Sequence, residues 1–260
     1  MSRSLAARRL LYFLTAFVSL SAGLVAQTPV ATQSSTPASI SIKEEYHHHL
    51  VFENSYVRIY FVEIPAHEST LLHRHDFPYI SIPPGGADAV EPPSGAAQQP
   101  AMRGPRVGYM AGGFSHAVNN PSDRPLRNVA IELLRPQGTV RNRCAEAVRG
   151  QPHEDCVMPP PSSAGATSHY PVFESDEILV EYWDLAPNVT TPPWDDRLDL
   201  LVAGLTGVSI TADSGIDSAN AVEGGLLWIP AGSKPVFKTT PERGGHFIVI
   251  TFKDSNPAQP

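Results

Sequence analysis

His73-Arg74-His75 is the first place in this 260-residue chain where side chains could do chemistry together. Residues two apart on a β-strand point to one face, so both imidazoles can approach a single metal ion. A third, His116, follows within Ala111-Gly112-Gly113-Phe114-Ser115-His116-Ala117-Val118-Asn119-Asn120. Three imidazole ligands at about 2.0–2.2 Å would fix one ion and leave positions open. Neutral imidazole suits iron, zinc, copper or nickel, so ligand type alone does not choose the metal. Histidine pairs also occur incidentally on surfaces and in cores, and His73 with His75 alone does not decide.

The other histidines carry weaker expectations. His47-His48-His49 precedes the first expected strand, where alternation sets His48 opposite its neighbours; the run reads as a surface turn or rim. His67 shares strand parity with His73 but lies about 20 Å away on a straight strand, which places it at a rim or surface. His246 reads as an ordinary strand residue. A Gly-rich phosphate loop, a nucleophile elbow and a CxxC pair are absent from the sequence.

The elements that must position these residues are strands. Charged residues make up 17% of the chain and apolar residues 42%, with 26 Pro and 19 Gly. That composition excludes a helical bundle or coiled coil, and the apolar runs exclude full disorder. A net charge of -7 lacks the basic footprint of a nucleic-acid partner. Tyr56 to Ile64, Leu179 to Leu185, Leu198 to Gly204 and Phe247 to Phe252 are rich in β-branched and aromatic residues. Short strands punctuated by Pro and Gly predict an all-β sandwich or barrel.

The sequence also repeats. Val51-Phe52-Glu53-Asn54 matches Val172-Phe173-Glu174-Ser175 at an offset of 121 residues, and the same offset pairs Val57 with Ile178, Ile59 with Val180 and Phe61 with Tyr182. At an offset of 119, Gly113 pairs with Gly232, Arg124 with Arg243, Val129 with Ile248 and Ile131 with Ile250. Two halves of about 120 residues make a tandem, not a solenoid. Low-complexity stretches interrupt it at Pro83 to Arg106 and at Arg135 to His169.

Arg3, Arg8 and Arg9 followed by the apolar run Leu10 to Val25 and small residues to Ala26 have the layout of a secretory signal peptide, 1–26. An uncleaved anchor is the competing reading. Cleavage leaves 16 basic against 26 acidic residues, with no polybasic membrane patch. Residues 27–45 read as a disordered leader. In an exported protein the only two cysteines, Cys144 and Cys156, are expected to form a disulfide. The mature protein is thus expected to be periplasmic or secreted, and free of the membrane.

His73 and His75, then Gly113, His116 and Asn120, resemble the two motifs of the cupin superfamily: His-x-His followed by Glu, and Pro-x-Gly-x-x-His-x-x-x-Asn. The resemblance extends over nearly all of the chain after about residue 46, and the duplicated frame looks like a bicupin. It implies an all-β fold of two tandem jelly-roll barrels: an N-terminal metal-binding domain over 46–138, a linker over 139–169 and a degenerate domain over 170–254. The family's Glu position is Tyr79 here, and Ala111 replaces the motif's Pro. Without the carboxylate, the site looks like the three-His variant of some cupin dioxygenases, with metal ligands His73, His75 and His116. Tyr79 is then a candidate ligand, catalytic residue or packing residue, and Asp76 should point away. In the second half Trp194, Asp196 and Pro235 stand for the three His and Leu200 for Tyr79, so that half should bind no metal.

The function implied is an exported metalloenzyme with one divalent transition metal, iron first and zinc, manganese, nickel or copper as alternatives. It would act as a dioxygenase on a small organic molecule. The competing readings are a non-catalytic module for a small molecule or carbohydrate, and a structural protein. Pairing through edge strands would allow a homodimer.

Overall fold

The computed structural model describes residues 38–83, 107–156, 167–194, 197–205, 208–212, 219–221 and 225–253. The expected export signal and the Pro-rich stretches inside 84–106 and 157–166 lie outside them. Apart from one 3-10 turn over Ile42–Glu44, every described element is a strand. The first half contains β1 (Ile40–Ser41), β2 (His48–Glu53), β3 (Val57–Ile64), β4 (His73–His75), β5 (Tyr79–Ile82), β6 (Gly108–Met110), β7 (Phe114–His116) and β8 (Leu126–Leu133). The second contains β9 (Arg141–Asn142), β10 (Thr167–Glu174), β11 (Ile178–Leu185), β12 (Leu200–Gly204), β13 (Val208–Ala212), β14 (Ala219–Ala221), β15 (Leu226–Ile229), β16 (Pro235–Lys238) and β17 (Gly245–Phe252).

The repeat read from the sequence is a repeat of topology. The large sheet of the first half has the order β2-β3-β8-β5-β6, and that of the second runs β9-β10-β11-β17-β12-β15. The strands after β9 thus follow the same path. Small sheets, β1-β4-β7 and β14-β13-β16, accompany them. Agreement reaches single residues. Both first hairpins carry a bulge at the same step, between Leu50 and Phe52 and between Pro171 and Phe173. His67 and Asn188, 121 apart, both have positive φ, as do Gly113 and Gly232, 119 apart. Thr70 Oγ1 accepts from the Val118 N–H, and Thr191 Oγ1 accepts from the Phe237 N–H.

The two large sheets share one core. Val57, Ile59, Ile131 and Leu133 from the first half form one buried cluster with Phe173, Val180, Ile248 and Ile250 from the second. Aromatic rings cross between the halves, Tyr56 and Phe52 on Trp228 and Tyr109 on Phe173. Each large sheet therefore has two covered faces, which explains why β3 and β17 read as nearly continuous apolar runs rather than alternating ones.

One sequence expectation changes at the edges and another, the disulfide, holds. The leader ends before residue 45: Ile40–Ser41 already pairs in parallel with His73–Arg74, and Ile42 is buried. The signal for this is local, a Ser41-x-x-Glu44 capping box whose two reciprocal hydrogen bonds stop the chain from remaining extended. Between the halves, Cys144 and Cys156 are bonded to each other. The loop they close is organised by buried Asn142, whose side chain bonds Ala147, Val148 and Gln151 backbone groups. Ala147 joins the shared core. Reducing this disulfide, or replacing Cys144 by Ala, should cost about 3 kcal/mol for a loop this short. Thermal denaturation should then show a Tm lower by about 6–12 °C.

Candidate metal centre

The inner face of the first half is built from β2, β3, β4, β5, β7 and β8. Strands β4 and β7 are antiparallel neighbours with His73 opposite His116. Alternation turns His73 and His75 inward, where both are essentially inaccessible, while Arg74 stays outside on Asp76. Asp76 points away, as expected. The turn before β7 is held by Gly112 and Gly113, both with φ near +74°. A Cβ on Gly112 would run into the Phe77 carbonyl, and the Gly113 N–H donates to the His75 carbonyl at 2.7 Å. Motif residue Asn120 is structural: its buried amide donates to the Ile64, Pro65 and Arg124 carbonyls.

Four imidazoles meet there. The ring centres of His73 and His116 are 4.6 Å apart, and those of His75 lie 5.2 Å from both. His48 comes from β2, with its ring 4.6 Å from His73 and 6.0 Å from His75. One nitrogen each of His48, His73 and His75 falls within 4.8 Å of the others. Cis or tetrahedral nitrogens on one ion lie about 3.0–3.4 Å apart, so this set must draw closer together to ligate one. His116 is outside that tighter group.

This corrects the reading of His47-His48-His49 as a surface turn or rim. His47 and His48 are buried, and His49 alone of the three is exposed. Alternation did separate His48 from its neighbours, but it faces the interior. Counting parity back from Phe52 gives the wrong face, because the bulge near Val51 inserts one residue into the ladder. His67, by contrast, lies on the surface with Asp123.

The donor set fits a metal ion. His73 Nδ1 lies 2.8 Å from the Leu71 carbonyl, which can only accept, so Nδ1 carries the proton and Nε2 the lone pair. His48 Nδ1 sits 2.6 Å from a carboxylate oxygen of buried Glu45, with the same consequence. The Nε2 atoms of His73 and His116 are buried with no hydrogen-bond partner. Buried polar atoms are seldom left so, and an ion would satisfy them.

Electrostatics keep the ligands ready. Burial, then the neighbouring imidazoles, pushes His75 down to about 3 and His116 down to about 4. Burial likewise lowers His48 to about 4, against the raising pull of Glu45. Burial raises Glu45, but the His48 hydrogen bond and the Leu71 and His47 N–H groups more than offset it, and its pKa lies below the usual value. At pH 7 these imidazoles are neutral. Sign follows directly: the unfolded chain binds protons at these histidines from about pH 6.5 downward, whereas the folded one does not until about pH 4 or below. The Tm of chelator-treated protein should hold constant above about pH 7 and fall steadily as pH drops from 6.5 to 4. A Tm that rises over this window would contradict the neutral cluster.

Around the imidazoles stand Tyr79, which the sequence flagged, and Glu132, which it did not. Tyr79, buried, stacks on His75 at 4.0 Å and 18°. Burial raises its phenol to about 12. Opposite Tyr79 on β8 is buried Glu132, with Oε1 3.9 Å from His75 Nδ1 and Oε2 accepting from Arg58 at 3.0 Å. Burial raises the Glu132 pKa and Arg58 offsets part of this.

The equivalent interior of the second half is refilled. The Trp194 backbone N–H donates to the Pro235 carbonyl, so the pair is the counterpart of His73 opposite His116. Leu200 holds the place of Tyr79, and Asp196 lies outside the described residues. Phe247 packs between Trp183 and Phe237. Of the four histidines only His48 has a histidine counterpart, His169, which stacks on Trp183. His246 is a strand residue of β17, bonded to Tyr182.

No protein-family model and no curated protein matches the sequence. Solved structures do. A salicylate 1,2-dioxygenase from Pseudoaminobacter salicylatoxidans, with gentisate adducts, is 11% identical, covers 76% of this chain and 68% of its own, and has a TM-score of 0.48. A cupin superfamily protein from Desulfitobacterium hafniense is 17% identical over 36% of this chain and 83% of its own, TM-score 0.32. The polyketide cyclase RemF from Streptomyces resistomycificus is 21% identical over 35% and 68%, TM-score 0.32. No helix among the described residues is long and apolar enough to cross a membrane. In its paired His motifs, its Gly-rich turn and its all-β halves, the chain resembles the cupin superfamily.

Proposed function

We propose that the first half binds one divalent transition metal through His73, His75 and His116, with His48 as a fourth imidazole, and uses it to oxidise a small organic molecule. The observation that carries the proposal is the convergence of four largely buried imidazoles with Nε2 of His73 and His116 unpartnered. An iron, manganese, nickel or copper ion there would supply redox chemistry toward O₂, whereas zinc would supply only Lewis acidity. The protein's own part is to hold the four imidazoles together and apart from water. Tyr79 serves in this reading as the ring that supports His75, since a phenol near 12 is poorly matched to proton transfer at neutral pH. A small-molecule substrate would enter past half-exposed Phe114, whose ring lies 5.3 Å from His116.

Elemental analysis of protein purified aerobically and after anaerobic Fe(II) loading tests the first part, with one metal per chain expected. Oxygen uptake by the Fe(II) form over catechol, flavonol and diketone panels tests the second. No uptake of metal would end the proposal, and metal without O₂ consumption would remove the oxidative step.

The second half suggests one further reading, a small-molecule module. A cleft of about 270 Å³ is lined there by Trp183, Thr191, Trp194 and Phe237 among others. Quenching of tryptophan fluorescence by a sugar or aromatic acid, retained after His73→Ala, would favour it over the metal-centred one.

A further inference from the structure

Glu132 and Arg58 form a buried ion pair in the wall of the first half, Nη1 to Oε2 3.0 Å, on directly opposed residues of β3 and β8. Arg58 is also held by Glu53 at 2.8 Å. Burying such a pair is expensive, and well-packed apolar residues in its place are often neutral or stabilising. The second half shows that this fold accepts the replacement. Its opposed residues at the same register are Leu179 and Thr251. Tyr60, whose buried hydroxyl lacks a hydrogen-bond partner, is Glu181 there. The half that lacks counterparts of His73, His75 and His116 thus also lacks the pair, and the half that has them has it. A pair that served only the fold would have no reason to follow the histidines.

The geometry names the link. The free oxygen of Glu132, Oε1, lies 3.9 Å from His75 Nδ1, just beyond hydrogen-bond length. That Nδ1 is buried with no partner, while Nδ1 of His48 and of His73 already have acceptors in Glu45 and Leu71. Tyr79 closes one ring face of His75. We propose that Glu132, anchored by Arg58, is the positioning residue of His75: it accepts from Nδ1–H, fixes the tautomer and presents Nε2 to the metal. The inference rests on the metal reading given above.

Co(II) serves as probe because its visible spectrum reports ligand geometry. Three proteins are loaded: the unaltered mature chain, the paired variant Arg58→Leu/Glu132→Thr, which installs the second half's own residues and leaves no lone buried charge, and Glu132→Gln. Co(II) and Zn(II) should bind 10–100-fold more weakly to the paired variant, with altered Co(II) absorption, while its Tm stays near that of the parent. Should the paired variant not fold, Glu132→Gln decides alone, with weaker binding and a shifted spectrum expected from a neutral acceptor. Affinity within two-fold and an unchanged spectrum in the folded variants, whatever their Tm, would overturn the positioning role. Failure of the unaltered protein to bind either ion would overturn the metal reading, and this inference with it.

Discussion

Alanine at His73 should weaken metal binding by more than about 100-fold, beyond the 10–100-fold expected for a contact outside the ligand set. His73 is the most central ring of the cluster, 4.6 Å from both His48 and His116 and 5.2 Å from His75. Its substitution removes one ligand and opens the space the other three share. His75→Ala and His116→Ala should follow closely. His48→Ala is the informative member of the series. If His48 ligates, its loss should resemble that of His116; if it only lines the site, the loss should fall within about 100-fold. His169→Ala supplies the control, being the same substitution at the same register of the second half, and should leave metal content unchanged. Competition titration against a chromogenic chelator ranks all five. An unaltered affinity in His73→Ala would place the metal elsewhere or nowhere.

Phe173→Ala should destabilise the whole protein by about 3–5 kcal/mol, the usual cost of deleting a buried aromatic ring. Phe173 is inaccessible, and it touches Tyr109 of the other half across the shared core. It lies far in sequence from every histidine of the metal centre, yet β3 and β8, which line the same inner face as those histidines, are backed by that same core. Calorimetry should therefore show one transition for parent and variant alike, lowered by roughly 6–20 °C in the variant. Metal release followed by chelator colour should coincide with it. Two separate transitions, with the metal-bearing half melting unchanged, would mean that the halves are stable without each other.

Much of this was legible in the residues because the signals are local or periodic. His73-x-His75 shows its common face directly, the offsets of 121 and 119 reveal the tandem, and two lone cysteines suggest their bond. What was not legible depends on which strands are neighbours. Glu132 matters because β5 and β8 pair with Tyr79 opposite it, a juxtaposition of residues more than fifty apart. His48 was misplaced on the rim for a similar reason, since its face depends on a single unpaired residue in β2. Glu45 became visible only with His48 inside. The refilled second interior was partly legible, as Trp194, Pro235 and Leu200 stood where ligands and Tyr79 would be; the stacking of Phe247 between Trp183 and Phe237 was not.

The bulge near Val51 has a consequence for how this chain can change. Upstream of it, His48 faces the imidazoles across from Val62; downstream, Glu53 pairs with Arg58, and Phe52 faces outward against Trp228. Without the extra residue, strict alternation would put His48 and Phe52 on the same side. Deleting Val51 would thus force a frame choice on the strand: the metal face or the face that joins the halves, but not both. Strand length at this point matters as much as side-chain identity, and the twin bulge near Val172 sets the same frame in the half that has no such group of four imidazoles to aim.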